Sequence, residues 1–214
     1  MALGIASFVA AEPAASPARA TLGTLAAKLV ERFREQAKPG WGWFEPDLTY
    51  DNATIPLGLF SAYLVTGEPE SLRVACEALA FLEQVCFDDD RLSLVGNAGW
   101  HKAGGTKPKA DEQAIDAAAF VLAFRAAYLA TRDHHYLDRM RQSFAWFLGA
   151  NRLGVCMYDY ATAGCRDGLG DSQPNQNQGA ESTICFLISL LKMLELAGEG
   201  LEHADVDSAP DTRA

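Results

Sequence analysis

Apolar residues recur along this chain with two kinds of helical spacing, and the two kinds alternate. The first is amphipathic: over Thr21–Lys38, Leu22, Leu25, Ala26, Leu29, Val30 and Phe33 follow one another at three- and four-residue steps, opposite Lys28, Glu31, Arg32 and Arg34. Such spacing predicts a helix with one wet face. Pro69–Cys86 and His135–Leu148 follow the same pattern. The second kind is apolar almost all round and covers Asn52–Thr66, Gln113–Thr131 and Ala180–Ala197; helices of that composition belong inside a fold. No window of strict alternation is long enough to require a sheet, so the chain is predicted to be all-α.

Wrapped inner helices alternating with half-wet outer ones imply an α/α-toroid-like array, each pair being a hairpin that cannot bury itself alone. With a helix remnant over Ala2–Ala11, the count is about seven helices, or three and a half hairpins. A closed six-hairpin ring needs about twelve. The array is therefore expected to be open or incomplete, as part of a longer toroid or as a ring completed by a homo-oligomer. Inner-to-outer links, at Thr66–Pro69 and Thr131–His134, are short, whereas the outer-to-inner links over 87–110 and 149–178 are long. Long loops in a compact domain are commonly functional. One domain over 1–197 and a disordered acidic tail over 198–214 complete the expected layout.

Composition narrows the partners. A net charge of −10 and a pI near 4.8 argue against nucleic acid or an anionic membrane as partner, since both require a basic face. No apolar stretch is expected to reach the roughly 18 residues of a membrane span, and no lysine or arginine precedes the Ala2–Ala11 run as a targeting signal requires. A soluble, cytoplasmic protein is the expectation. The five cysteines form no CxxC pair and three fall in predicted helices, so reduced thiols are the default, with a Cys156–Cys165 bridge as the alternative in an oxidising compartment. No two of the four histidines have ligand spacing, and no phosphate loop or GxSxG elbow is present. Neither metal nor cofactor is expected.

Three times, a loop rich in acids, amides and aromatics runs into an inner helix: Trp41–Asn52, Gly99–Gln113 and Asp167–Ser182. All three should lie on one rim, where they would suit a polyhydroxylated, uncharged ligand. Glycoside chemistry needs two carboxylates across a cleft, ~5–5.5 Å apart for retention and ~6.5–9.5 Å for inversion. The candidates are Glu45, Asp111, Glu112 and Glu181. Glu45 stands out because Phe44 and Pro46 flank it, and apolar neighbours raise a carboxyl toward general-acid duty. Ring platforms could come from Trp41, Trp43, Tyr50 and Trp100, and hydroxyl contacts from Asp51, Asn52, His101, Asp116, Arg166, Asp167, Asn175, Asn177 and Gln178.

Each has a plainer reading. Asp51 and Asp111 could cap helices, the tryptophans could plug the core, Arg166 and Asp167 could form a local ion pair, and Lys102, Lys107 and Lys109 could form a solvated basic loop. Asp116 lies one turn into an apolar helix, where it needs a partner such as Arg125, Arg166 or a ligand hydroxyl.

The runs Trp43-Phe44-Glu45, Leu48 to Ala53, Asn97 to Trp100, Asp116-Ala117-Ala118, Trp146 to Asn151, Gly164 to Leu169 and Asn177 to Ser182 resemble an uncharacterised bacterial family often found as the C-terminal α/α domain of family 4 glycosyltransferases. The resemblance covers roughly residues 20–197 and implies a toroid related to six-hairpin carbohydrate-active proteins, acting on or binding a glycan. A glycosyltransferase is the partner it implies. The stretch Asp111-Glu112-Gln113-Ala114 departs from the family pattern of a glutamine-rich run before a proline, and the earlier hairpins are missing. Hydrolysis or glycosyl transfer is the leading expectation; a non-catalytic glycan-binding or scaffold module is the alternative.

Overall fold

The computed structural model describes residues 1–201. Its helices are α1 (Ala2–Ala11), α2 (Ser16–Gln36), α3 (Thr54–Thr66), α4 (Pro69–Cys86), α5 (Ala114–Thr131), α6 (His135–Ala145) and α7 (Ala180–Gly198). Helices α1, α3, α5 and α7 pack side by side as an inner row, while α2, α4 and α6 each close a hairpin on the inner helix before them. That is the expected alternating array. Among the described residues the strands are two residues long and pair as short antiparallel ladders, consistent with an all-α reading.

Helix ends follow local chemistry. α2 starts earlier than its apolar stripe because Pro17 lies in its first turn, where a missing N–H costs nothing. α6 stops at Ala145, and Trp146–Leu148 tightens into a 3-10 turn closed by Gly149 at φ 108°, a conformation that glycine adopts without strain. Of the tail, Glu199 pairs with Arg125 and the Leu201 carbonyl accepts from Arg141; residues 202–214 lie outside the described residues.

Two inner helices depart from expectation in opposite ways. α5 is 18 residues long with a mean hydropathy of 1.5, so its length and apolarity do meet the criteria for a membrane span. It is 72% buried inside the fold, packed among α3, α6 and α7, and carries Asp116 and Arg125. These are the marks of a core helix. α7, predicted to be wrapped on all sides, leaves Ile184, Leu187, Ile188, Leu191 and Leu194 exposed, because no outer helix covers it among the described residues. All five cysteines, Cys156 and Cys165 included, are free.

Every long link runs between the end of an outer helix and the start of the next inner one, so the three loops share a rim. Backbone ladders stitch them together: Asp47–Leu48 with His101–Lys102, and Glu112–Gln113 with Gly168–Leu169. Gly168 permits the second, since a Cβ there would sit 2.8 Å from the Glu112 carbonyl oxygen. Lys107, expected in a solvated loop, instead turns inward and donates to the carbonyls of Val85 and Ser93 and to the Ser93 hydroxyl. It caps the end of α4.

Gly168→Ala should therefore destabilise the fold by the ~1–3 kcal/mol typical of overpacking, read as a lower thermal midpoint by circular dichroism. Gly23→Ala, in α2 with open space around its Cβ position, should leave the midpoint unchanged or raise it, since alanine is worth up to ~1 kcal/mol over glycine in a helix.

Candidate functional site

A cavity of about 870 Å³ opens where the loops entering α5 and α7 meet, with Asn97, Asp111, Gln113, Asp171, Asn175 and Glu181 in its wall. Its lining also includes Glu112 and Asp167 but no lysine, arginine or histidine. The wall is therefore acidic and rich in amides, which suits hydroxyl recognition and disfavours an anionic ligand.

Glu112 forms the hidden base of that wall. Its side chain has no exposure to water; one oxygen accepts the Trp146 indole N–H at 2.9 Å and the other faces Arg152 Nε at 3.4 Å. Burial pushes its carboxyl above the ordinary range, and the Trp146 hydrogen bond and the Arg152 charge pull it partly back. The Arg152 guanidinium reaches on to the carbonyls of Asp171, at 2.7 Å, and Gly170. Glu112 thus joins the cavity wall to Arg152, and its carboxylate, one of those expected to face a cleft, is sealed from water. Arg152 was not singled out from sequence, because a lone arginine in a turn after a helix carries no local signature.

A second group of carboxylates sits at the helix entrances. Asp116, 4% exposed, accepts the Asp51 backbone N–H at 2.6 Å through Oδ1, while its Oδ2 is buried without a partner. The partners expected from sequence are engaged elsewhere, Arg125 with Glu199 and Arg166 with Asp159. Burial, with added repulsion from the Asp51 and Glu112 charges, pushes the Asp116 carboxyl up to about 8, against the hydrogen bonds from the Asp51 and Asn52 backbone. At neutral pH it holds its proton.

Asp51 is half-buried. Its carboxyl is raised by burial and by the Glu181 charge, and lowered by the Thr54 hydroxyl that donates to it at 2.5 Å. Neither Asp51 nor Asp111 acts as the expected cap: the N-cap positions are Ala53 for α3 and Gln113 for α5, and neither helix has a side-chain cap. Asp51, Asp116 and Glu181, from three helix entrances, form one electrostatic group.

The remaining candidates divide. Trp41 and Trp43 are buried against Phe81 and Phe44, so they plug the core and offer no platform. Trp41 donates its indole N–H to the Glu45 carbonyl at 2.7 Å. The Glu45 side chain is exposed and lies outside the cavity lining, so the apolar shielding expected of it is missing. Tyr50 and Trp100 stack with centroids 6.2 Å apart, Tyr50 being 54% exposed; they form an open aromatic face next to Asp51 in the chain.

His101 rests on the Trp41 ring at 5.3 Å, and burial lowers its pKa. Asn52 folds back onto both backbone groups of Thr49. In the third loop Asn177, Gly179 N–H and Ser182 donate to Asp167; burial raises its carboxyl, but these bonds prevail and hold it low. Arg166 pairs with Asp159 at 3.6 Å, replacing the expected Arg166–Asp167 pair. Gln178 donates to the same Asp159 and accepts from Thr162. Asn175 remains on the cavity wall.

Five non-glycine residues of the rim loops hold positive φ: Asp51, Trp100 and Asp111 at 54°, 52° and 64°, and Asp89 and Ala163 at 55° and 59°. Left-handed backbone costs a non-glycine residue ~1–2 kcal/mol and gathers at functional sites.

No family model matches the chain, and a search of curated proteins finds no match. Among solved structures it is similar to a glycoside hydrolase family 76 mannosidase from Bacteroides thetaiotaomicron, with a TM-score of 0.56 at 16% identity. The match covers 71% of this chain and 40% of the mannosidase chain, so this chain spans well under half of that protein. At that identity the likeness establishes the fold alone, an α/α-toroid-like array of helical hairpins.

Two outcomes test this geometry. Arg152→Ala should free the Gly170–Asp171 segment, read as faster amide hydrogen exchange confined to residues 168–175. Asp116 raises the second. Its folded pKa is about 8 against 3.8 for the free side chain, so the native state holds a proton that the unfolded chain releases, and stability contributed by the neutral acid is lost as pH rises through that window. Asp116→Asn, which keeps the Oδ1 acceptor, should therefore gain thermal stability relative to the parent as pH goes from about 5 to about 8.

Proposed function

We propose that the chain is a carbohydrate-active α/α domain that takes an uncharged glycan across the acidic cavity and the Tyr50–Trp100 face, and acts on it by glycoside hydrolysis or glycosyl transfer. The reading extends to kinship with the glycosyltransferase-associated family and to work in the cytoplasm. The observation that carries it is the electrostatic pairing of Asp51 with Glu181: Asp51, which is not itself in the cavity lining, is half-buried and raised first by burial and also by the charge of Glu181, which stands exposed on the cavity wall. A carboxyl raised by burial beside a second carboxylate is the arrangement that an acid and its partner base require.

In this reading Asp51 protonates the leaving glycosidic oxygen, and Glu181 serves as base toward water or as nucleophile. Asp116, neutral and buried, positions Asp51 by accepting its backbone N–H. Asp111 and Asn175 supply hydroxyl contacts from the wall, and Tyr50 and Trp100 stack on a sugar ring.

A second reading rests on the Tyr50–Trp100 stack, whose outward face suits a sugar ring without any catalytic group: the domain binds a glycan without turning it over, as a module serving a glycosyltransferase.

A panel of neutral oligosaccharides, assayed for binding by glycan array and for reducing-end release, separates the two. Asp51→Asn and Glu181→Gln should each cut turnover by ~10²-fold or more, the scale of general acid–base catalysis, with binding retained. Binding without turnover in the parent protein establishes the module; absence of both overturns the proposal.

A further inference from the structure

Asp116 is a carboxyl that the fold buries and only half satisfies. Its Oδ1 accepts the Asp51 backbone N–H at 2.6 Å, a tie across 65 residues of chain, while Oδ2 is sealed from water with no partner. The cations of the neighbouring elements are engaged elsewhere: Arg125 with Glu199, Arg152 with Glu112, Arg166 with Asp159, and Lys107 with the Val85 and Ser93 carbonyls. The groups that do feel its charge are acids and thiols. They are Asp51 from the loop before α3, Glu112 from the strand before α5, Cys86 from the end of α4 and Cys185 from α7. Glu181 acts in turn on Asp51 and Cys185. Burial pushes the Cys86 and Cys185 thiols up to about 12 and about 11, so both are still neutral where Asp116 gives up its proton.

Removing that proton puts a charge on a group met by backbone N–H alone, with one oxygen facing nothing, and such a charge must find water. The cover poised to give way is the rim segment. Asp51 is half-buried at φ 54°, a conformation an aspartate keeps only while its surroundings impose it. The side-chain hydrogen bonds of Asp51 and Asn52 reach only to Thr49 and Thr54, within the segment itself. Tyr50, next in the chain, carries half of the stack with Trp100.

We infer that the proton on Asp116 latches the rim of the proposed glycan site: while it is on, the Asp51 segment stays seated and holds Tyr50 on Trp100, and when alkali removes it the segment lifts away and the ring platform is lost. The inference rests on the glycan reading for what the rim holds, since the latch is built from the protein's own groups. The sign follows from linkage: the folded acid is raised from 3.8 to about 8, so the seated rim is favoured at low pH and lost as pH rises through about 8.

Amide NMR on the full chain without ligand, followed from about pH 6 to about pH 9, reads the latch directly. The Asp51 amide and the Trp100 indole should shift together with one midpoint at about 8. His101, beside Trp100 in the chain, is lowered by burial from 6.5 and titrates before that midpoint. Asp116→Asn, which keeps the Oδ1 acceptor and carries no charge, should leave both resonances flat around that midpoint. A flat Asp51 amide in the parent protein, or a titration that persists in Asp116→Asn, overturns the inference. So does an Asp116 side-chain carboxyl resonance that titrates with the ordinary carboxylates, a measurement that needs no variant. For any neutral oligosaccharide that the panel retains, affinity for the parent should fall about tenfold for each pH unit above the midpoint, and Asp116→Asn should remove that fall; a binder indifferent to pH overturns the inference. Resonances that titrate as expected with no oligosaccharide bound support the latch and place the failure in the glycan reading.

Discussion

Glu112 is withdrawn from water, yet it stands among loops that are mostly wet. A carboxylate in that position must be met by donors or it destabilises the fold by several kcal/mol. Trp146 and Arg152 meet it, and in doing so they bind the entrance of α5 to the turn after α6 and to the loop before α7. The ladder between Glu112–Gln113 and Gly168–Leu169 runs through the same point. Without this junction the second and third loops would be separate surface segments, and the cavity between them would have no fixed wall.

The fold was largely legible in the hydrophobic pattern, because period and polarity are local properties. Pro69–Cys86 matched its helix end to end, and the contrast between short and long links placed the three loops on one rim. α7 escaped the pattern because composition reports how apolar a helix is, and says nothing of whether a neighbour is present to cover it. For the same reason α5 is long and apolar enough to span a membrane while lying mostly buried among α3, α6 and α7.

The site was legible by residue type and much less by role. Aromatic side chains at Trp41 and Trp43 look identical on paper to those at Tyr50 and Trp100; only packing shows that the first pair fills the core and the second faces outward. Glu45 and Glu112 were grouped as carboxylates of one cleft, but one is exposed beyond the cavity and the other is sealed beneath it. Asp51 and Asp116 passed as a helix cap and an isolated charge, since their relation depends on a contact between residues far apart in the chain. Arg152 left no trace in the sequence, because its partners are backbone carbonyls, which every residue possesses.

The left-handed backbone at Asp51, Trp100 and Asp111 has a bearing on how such a domain can change over time. Glycine at any of the three would relieve steric conflict, yet it would strip the Thr54 hydroxyl of its Asp51 acceptor or Tyr50 of its stacked Trp100 ring. Backbone ease and side-chain contact thus oppose each other there, and a change to glycine would alter what the rim presents before it altered the path of the chain.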